Sequence, residues 1–252
     1  EKNVLHIWPR GDYMIIALPN LDGSFTATLF LAYEGGTYNF KNLDTEDKVL
    51  NFFSKEFPDT LELMPGLVSE FFKNPTAPLG TIKCFPWQYA GKNLILGDAA
   101  HAIVPFYGQG MNASFEDVSE LDAALDLHQG DWEAAFKAFE LKRKKDTDGI
   151  ADLAIDNFHE MKDHVANPNF QQKRSLEMRL ETQLPEAYFS KYSMVTFRED
   201  MGYNEAMVLG RAQDKSILKM IEKKQINLNS PIEKLYEKIK GETNSILKNQ
   251  GI

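Results

Sequence analysis

The residues best suited to chemistry lie in one stretch, Leu96-Gly97-Asp98-Ala99-Ala100-His101-Ala102-Ile103-Val104-Pro105-Phe106-Tyr107-Gly108-Gln109-Gly110-Met111-Asn112-Ala113. A carboxylate directly after an apolar run can accept hydrogen bonds from ligand hydroxyls, and the small Ala99 and Ala100 let a bulky molecule approach it. Pro105 fixes the loop, while Gly108 and Gly110 permit backbone conformations that other residues resist. A helix expected from about Met111 points its free amides and the positive end of its dipole forward, which suits an anion or an electron-rich ring. Taken singly, Gly-Asp after a strand and a Gly-rich helix start are both common as plain turns and caps. Gly108 to Ala113 also matches a dinucleotide fingerprint by spacing, but that motif needs a strand immediately before it, and Pro105 stands there instead. His101 reads as a hydrogen-bonded structural histidine rather than a base, and Cys84 as a small buried hydrophobe.

These groups need elements to hold them. Tyr13 to Leu18 and Phe25 to Leu31 are β-prone runs separated by Pro19-Asn20-Leu21-Asp22-Gly23, so residues 1 to 34 read as a β-meander. Alternation puts Ile16 and Leu18 on one strand face and Ile15 and Ala17 on the other. Val49, Leu50, Phe52 and Phe53 recur between charges in a helix that Thr45 and Asp47 start and Pro58 ends. Gly80 to Pro86 is expected to return as a strand, and Asn93-Leu94-Ile95-Leu96 as a short buried one. Phe115, Val118, Leu121 and Leu125 then recur at three- and four-residue spacing, the pattern of an amphipathic helix, and a second long helix is expected from about Asp131. Leu153, Asn157, Glu160, Met161 and His164 share one face of that helix, a polar amide and a carboxylate among apolar neighbours. On pattern alone this is the solvated edge of an amphipathic helix. Pro231 to Leu247 reads as a surface helix.

The 252 residues, 43% hydrophobic and 12% aromatic, suffice for a packed core. With 37 acidic against 28 basic residues the net charge is −9, which argues against a broad phosphate-binding surface and so against nucleic acid. One cysteine excludes an intramolecular disulfide and any multi-cysteine metal site and fits a reducing compartment, so the cytoplasm is expected. No apolar run approaches the roughly 20 residues of a membrane-spanning helix. The chain opens without methionine and enters Val4-Leu5-His6-Ile7-Trp8 almost at once, which reads as a truncated start.

Together, Gly97-Asp98-Ala99-Ala100-His101 and Pro105-Phe106-Tyr107-Gly108-Gln109-Gly110-Met111-Asn112 closely resemble the second FAD motif of the flavoprotein aromatic hydroxylases. Three further stretches sharpen the resemblance to the kynurenine 3-monooxygenase family. They are His6 to Arg10 with Met14 to Asn20, Asn157-Phe158-His159-Glu160-Met161, and Tyr192 to Phe197. Similarity covers most of residues 1 to 200 and fades in the tail.

The resemblance implies that Asp98 binds the ribityl chain and that Gly110, Met111 and Asn112 offer amides to the flavin ring. It places Asn157 and Tyr192 on the amino-acid carboxylate of L-kynurenine, with Glu160 and Met161 beside them. The pocket walls then correspond to Ile16, Leu18 and Phe30 on the sheet, and to Pro105, Phe106, Tyr107 and Gln109 in the loop. For Ile16, Leu18 and Phe30, ordinary core is an equally open reading. No side chain is expected to be a catalytic acid and no metal is implied, because FAD, reduced by NADPH and reacting with O2 through a flavin C4a-hydroperoxide, hydroxylates the substrate at C3. The implied architecture is α+β, with a substrate-binding β-sheet layer at residues 1–88, the C-terminal part of an FAD-binding domain at 89–145 and a helical domain at 146–252. The family's N-terminal Gly-rich motif and the rest of its carboxylate clamp have no counterpart here. A piece of this kind is expected to hold no FAD alone and to self-associate through exposed apolar surface. Two rivals remain: a flavin hydroxylase of a phenol, salicylate or polycyclic substrate, which has no need of the Asn157 and Tyr192 pair, and a non-catalytic interaction module.

Overall fold

The computed structural model describes residues 1–161 and 167–251, in two compact units: residues 1–78 with 159–161, and residues 79–158 with 167–251. In the first, β1 (His6–Pro9), β2 (Met14–Pro19) and β3 (Phe25–Phe30) form an antiparallel meander in that order. The β2–β3 turn closes because Asp22 accepts from the Ser24 amide at 2.9 Å and Gly23 takes a φ of 84° that L side chains avoid. In the register Ile16 faces Ile7 and Thr28, Ile15 faces Trp8 and Leu29, and Met14 faces Phe30. Side chains alternate, so Ile15, Trp8 and Leu29 share one face of the sheet. That face packs into a core with Leu43, Val49, Phe52, Phe53 and Phe57.

Phe52 and Phe53 come from α1 (Glu46–Glu56), which starts where Thr45 Oγ1 accepts from the Lys48 amide. Glu46 and Asp47 at its beginning and Lys55 at its end complement the helix dipole. Burying each of these phenylalanines stabilises the unit by about 1.5–3 kcal/mol. A short helix, α2 (Leu67–Lys73), follows.

The second unit begins with a hairpin, β4 (Gln88–Tyr89) and β5 (Asn93–Leu94), followed by α3 (Asp98–His101), α4 (Gly110–Leu127) and α5 (Trp132–His159), whose last residue groups with the first unit. The chain continues through α6 (Pro168–Gln183), α7 (Lys191–Phe197), α8 (Tyr203–Glu222) and α9 (Ile232–Asn249). Leu176, Leu180, Tyr188, Ile217, Leu235 and Ile239 join α6, α8 and α9 in one core. A second core gathers Ile150, Leu153 and Ala154 of α5 with Met194, Tyr203 and Ala206. There α5 meets the start of α8 so closely that a Cβ on Gly149 would lie 2.9 Å from backbone atoms of Asn204. The α+β expectation holds, with helix predominating.

Three local expectations are corrected. Gly80 to Pro86 is extended but belongs to no strand: the Ile82 and Cys84 amides donate to the carbonyls of Ala102 and Ala100, in and just after α3, and Pro86 has no amide to offer a ladder. The run from Asn93 to Leu96 yields only a two-residue strand with Asn93 and Ile95 exposed, since it pairs on one side with β4 alone among the described residues. On α4, Leu121 and Leu125 pack inward, but Phe115 and Val118 are 64% and 55% exposed. The face α4 buries carries Ala113, Asp117 and Ala124 instead.

Candidate functional site

The chemistry-bearing stretch runs from β5 through α3 to the start of α4. Gly97 adopts a φ of 59°, and Ser114 of α4 lies so near that a Cβ on Gly97 would be 3.2 Å from its Oγ. Asp98 therefore opens α3 beside the first turns of α4. Its carboxylate is exposed, and no donor among the described residues engages it.

A turn at Pro105–Tyr107 then leads to Gly108, left-handed at φ 70°, and to the start of α4. That start has no side-chain cap: Gln109 occupies the cap position, but its Oε1 accepts from Asn112 Nδ2 at 2.8 Å instead. The first backbone bond is that of the Ala113 amide to the Gln109 carbonyl, so the amides of Gly110, Met111 and Asn112 have no acceptor among the described residues. The first turn holds no acidic residue to neutralise the dipole. An exposed carboxylate for hydroxyls beside three outward amides fits the ribityl and ring portions of a flavin cofactor.

Behind this loop lies a charge network not anticipated from the sequence. Asp117 of α4 has no exposed surface; its Oδ2 accepts from the Gly97 amide at 2.9 Å and lies 2.5 Å from His101 Nε2, while Oδ1 accepts from Arg143 Nε at 2.8 Å. Arg143, on α5, also donates to Glu116 and to the Ala113 carbonyl. Tyr203 at the head of α8 donates to Glu116 at 2.5 Å. Burial works to raise the Asp117 carboxyl, but the bonds from His101, the Gly97 amide and Arg143 outweigh it and hold the group below the ordinary range. Burial and the bond to Glu116 push the Tyr203 phenol up. His101 is thus the hydrogen-bonded structural residue expected, and Cys84 is half-buried, donating to the Ala100 carbonyl at 3.0 Å. The one sequence sign of the network is Asp117 itself, a charge in register with Ala113 and Ala124 on the small-residue face of α4.

The residues assigned to the substrate fall into two sets. In the second unit, Asn157 Nδ2 donates to the Phe106 carbonyl at 2.6 Å, Phe106 packs against Phe158 at 4.7 Å, and Tyr107 stacks on Tyr192 at 5.8 Å. Asn157 of α5 and Tyr192 of α7 thus both meet the Pro105–Tyr107 turn that leads through Gln109 into α4. In the first unit, Ile16 and Leu18 share a sheet face with Phe30, which the register sets opposite Met14. None of the three joins the aromatic core on the other face, and Leu18 is 53% exposed. Glu160 and Met161 are half-buried and group with the first unit. His164 lies outside the described residues.

No helix among the described residues is long and apolar enough to cross a membrane. Residues 66–134 match a family model described as an FAD binding domain. Over 95% of its length the chain is 46% identical to a kynurenine 3-monooxygenase of Flavobacterium psychrophilum, and spans 53% of that protein. It is 45% identical to the one of Dictyostelium discoideum over 88% of its length and 50% of the relative, and 47% identical to that of Myxococcus xanthus over 85% and 46%. The chain spans about half the length of these curated relatives. Similarity this high over nearly the whole chain, with an FAD-binding match laid across the Asp98 and Gly110 motif, makes this chain a member of the kynurenine 3-monooxygenase family.

Proposed function

We propose that the protein to which this chain belongs is an FAD-dependent, NADPH-consuming aromatic hydroxylase that converts L-kynurenine to 3-hydroxykynurenine with O2, in the cytoplasm. One observation carries the reading: Asn157 and Tyr192, from separate helices, flank the same Pro105–Tyr107 turn that feeds the uncapped start of α4. In this reading Asp98 accepts hydroxyls of the FAD ribityl chain, and the amides of Gly110, Met111 and Asn112 stabilise negative charge on the ring. Bound FAD supplies the redox chemistry that passes electrons from NADPH to O2.

The chain's own residues bind and orient. Asn157 and Tyr192 hold the substrate's amino-acid carboxylate; Glu160 and Met161, which group with the first unit, are assigned to the substrate as well. Pro105, Phe106 and Tyr107 give apolar walls that exclude water, and Gln109 adds an amide beside them. In the first unit, Ile16, Leu18 and Phe30 are assigned to the substrate as an apolar sheet face. The domain division offered is a substrate layer at 1–88, the C-terminal part of an FAD-binding domain at 89–145 and a helical domain at 146–252.

The test is kynurenine-stimulated NADPH oxidation by the FAD-loaded full-length protein, with 3-hydroxykynurenine identified as product. Stimulation by a phenol or salicylate and not by kynurenine would transfer the reading to another flavin hydroxylase. Within the proposed enzyme, Asn157→Ala and Tyr192→Phe each raise the kynurenine KM about tenfold or more, since each removes a donor to a desolvated carboxylate.

A further inference from the structure

α7 carries Tyr192 and has only seven residues, too few to stand as a helix without tertiary support. Two neighbours hold its beginning. Ser190, its cap, accepts from the Ser193 amide, and its own amide donates to Glu181 of α6 at 2.8 Å. The next residue, Lys191, reaches into the protein, where its side chain is 8% exposed and Nζ lies 2.8 Å from Asp214 Oδ2 of α8. Asp214 Oδ1 in turn lies 2.7 Å from Lys173 Nζ of α6, and Lys173 is 3.2 Å from Glu177. One carboxylate thus ties α6 and α7 to α8.

The route of Lys191 is cut into α8. A Cβ on Gly210, one turn before Asp214, would lie 2.7 Å from Lys191 Cγ and 2.8 Å from its Cβ, so the lysine stem occupies the space a side chain would fill. Consecutive residues of a helix point about 100° apart. Seating Lys191 inward therefore sets the direction of Tyr192, which is 45% exposed and stacks on Tyr107.

We propose that Lys191, seated over Gly210 and clamped by Asp214, is a positioning residue for substrate: it fixes the rotation of α7 and hence the placement of Tyr192. This rests on the assignment of Tyr192 to the substrate carboxylate. The charge pair itself stays remote from the substrate and acts through the helix it anchors. A buried cation suits this task because its loss of hydration is compensated only where the carboxylate stands, which defines one rotation of α7.

The experiment is a double-mutant cycle in the FAD-loaded full-length protein, read as the kynurenine KM and kcat separately. Lys191→Met keeps the stem and removes the charge. It should raise KM about five- to tenfold with kcat and FAD content unchanged, and add nothing further in a Tyr192→Phe background. Gly210→Ala retains both charges and displaces the stem; it should reproduce the same pattern, and it carries the test if Lys191→Met does not fold. An unchanged KM in the variant while Tyr192→Phe raises it overturns the positioning role and leaves the kynurenine reading standing. An equal rise in both backgrounds overturns it too, because the effect then bypasses Tyr192. No rise with Tyr192→Phe alone overturns the substrate assignment and this proposal with it.

Discussion

The two sides of α4 reverse the usual distribution of charge and apolar surface. One side buries Asp117 completely, against His101 and Arg143; the other leaves Met111, Phe115 and Val118 at 69%, 64% and 55% exposure. A buried carboxylate is tolerated only where donors replace its water, and Asp117 has three: the Gly97 amide, His101 and Arg143. An exposed apolar stripe has no such internal compensation and is ordinarily covered by something. The contrast separates what α4 does for this chain, which is to lock the Asp98 loop, from what it offers outward.

The largest effect is expected from breaking the buried side. Arg143→Met removes the Arg143 bonds to Asp117, Glu116 and the Ala113 carbonyl, and Asp117→Ala removes the shared acceptor of Arg143, His101 and the Gly97 amide. Each leaves a buried charge short of partners and should lower the unfolding free energy by about 3–5 kcal/mol, measured by urea denaturation. A loss below about 1 kcal/mol would mean that water reaches Asp117 and that the two sides differ little. Asp98→Ala should act differently, leaving the chain's stability alone while weakening FAD retention in the full-length protein by about 1.5–3 kcal/mol for each charge-assisted hydrogen bond removed. Unchanged FAD content after dialysis would count against Asp98.

Acid should sharpen the distinction between this network and the cluster around α6. Asp117 is held below 3.8, so its contribution is intact above about pH 4 and disappears as pH falls through the lower folded value. Glu177 is pushed by burial from 4.5 up to about 7, so its contribution is present below pH 4.5 and lost as pH rises toward 7. Across pH 3 to 8 the variants Asp117→Asn and Glu177→Gln should therefore both converge on the parent in acid and depart from it toward neutral pH with opposite signs. Asp117→Asn has the lower denaturation midpoint there and Glu177→Gln the higher, because the latter lacks the buried charge that the parent must ionise. The smallest effect belongs to the apolar side: Phe115→Glu should change stability by no more than about 0.5 kcal/mol and reduce self-association on size-exclusion chromatography. Destabilisation above about 2 kcal/mol would show that this side is internal after all.

Much of this was legible from sequence for physical reasons. Thr45 and Pro58 bracket α1 because a cap oxygen and a missing amide act locally, and the turn at Asp22-Gly23 is likewise set by its own residues. The loop and helix start from Asp98 to Asn112 were readable because their residue types constrain backbone and space directly. What stayed hidden depends on partners distant in sequence. Arg143 finds Asp117 across 26 positions, and Asp214 gathers Lys173 and Lys191 from two other helices. Periodicity also misplaced Phe115 and Val118, since an apolar stripe reports that a face wants cover and not which molecule or segment provides it.

The crossing of α5 and α8 at Gly149 carries an evolutionary consequence. Many glycines here serve a turn, where an asparagine could substitute at modest strain, but Gly149 sits in a helix and is needed for the atoms it lacks. Even alanine would put a methyl against the Asn204 backbone, which unlike a long side chain has no alternative rotamer to retreat into. The position therefore has no graded neighbours in sequence space: drift around it must move through compensating changes at the head of α8, and a random library selected for folded protein should return glycine there while varying freely at Gly241, which faces open space.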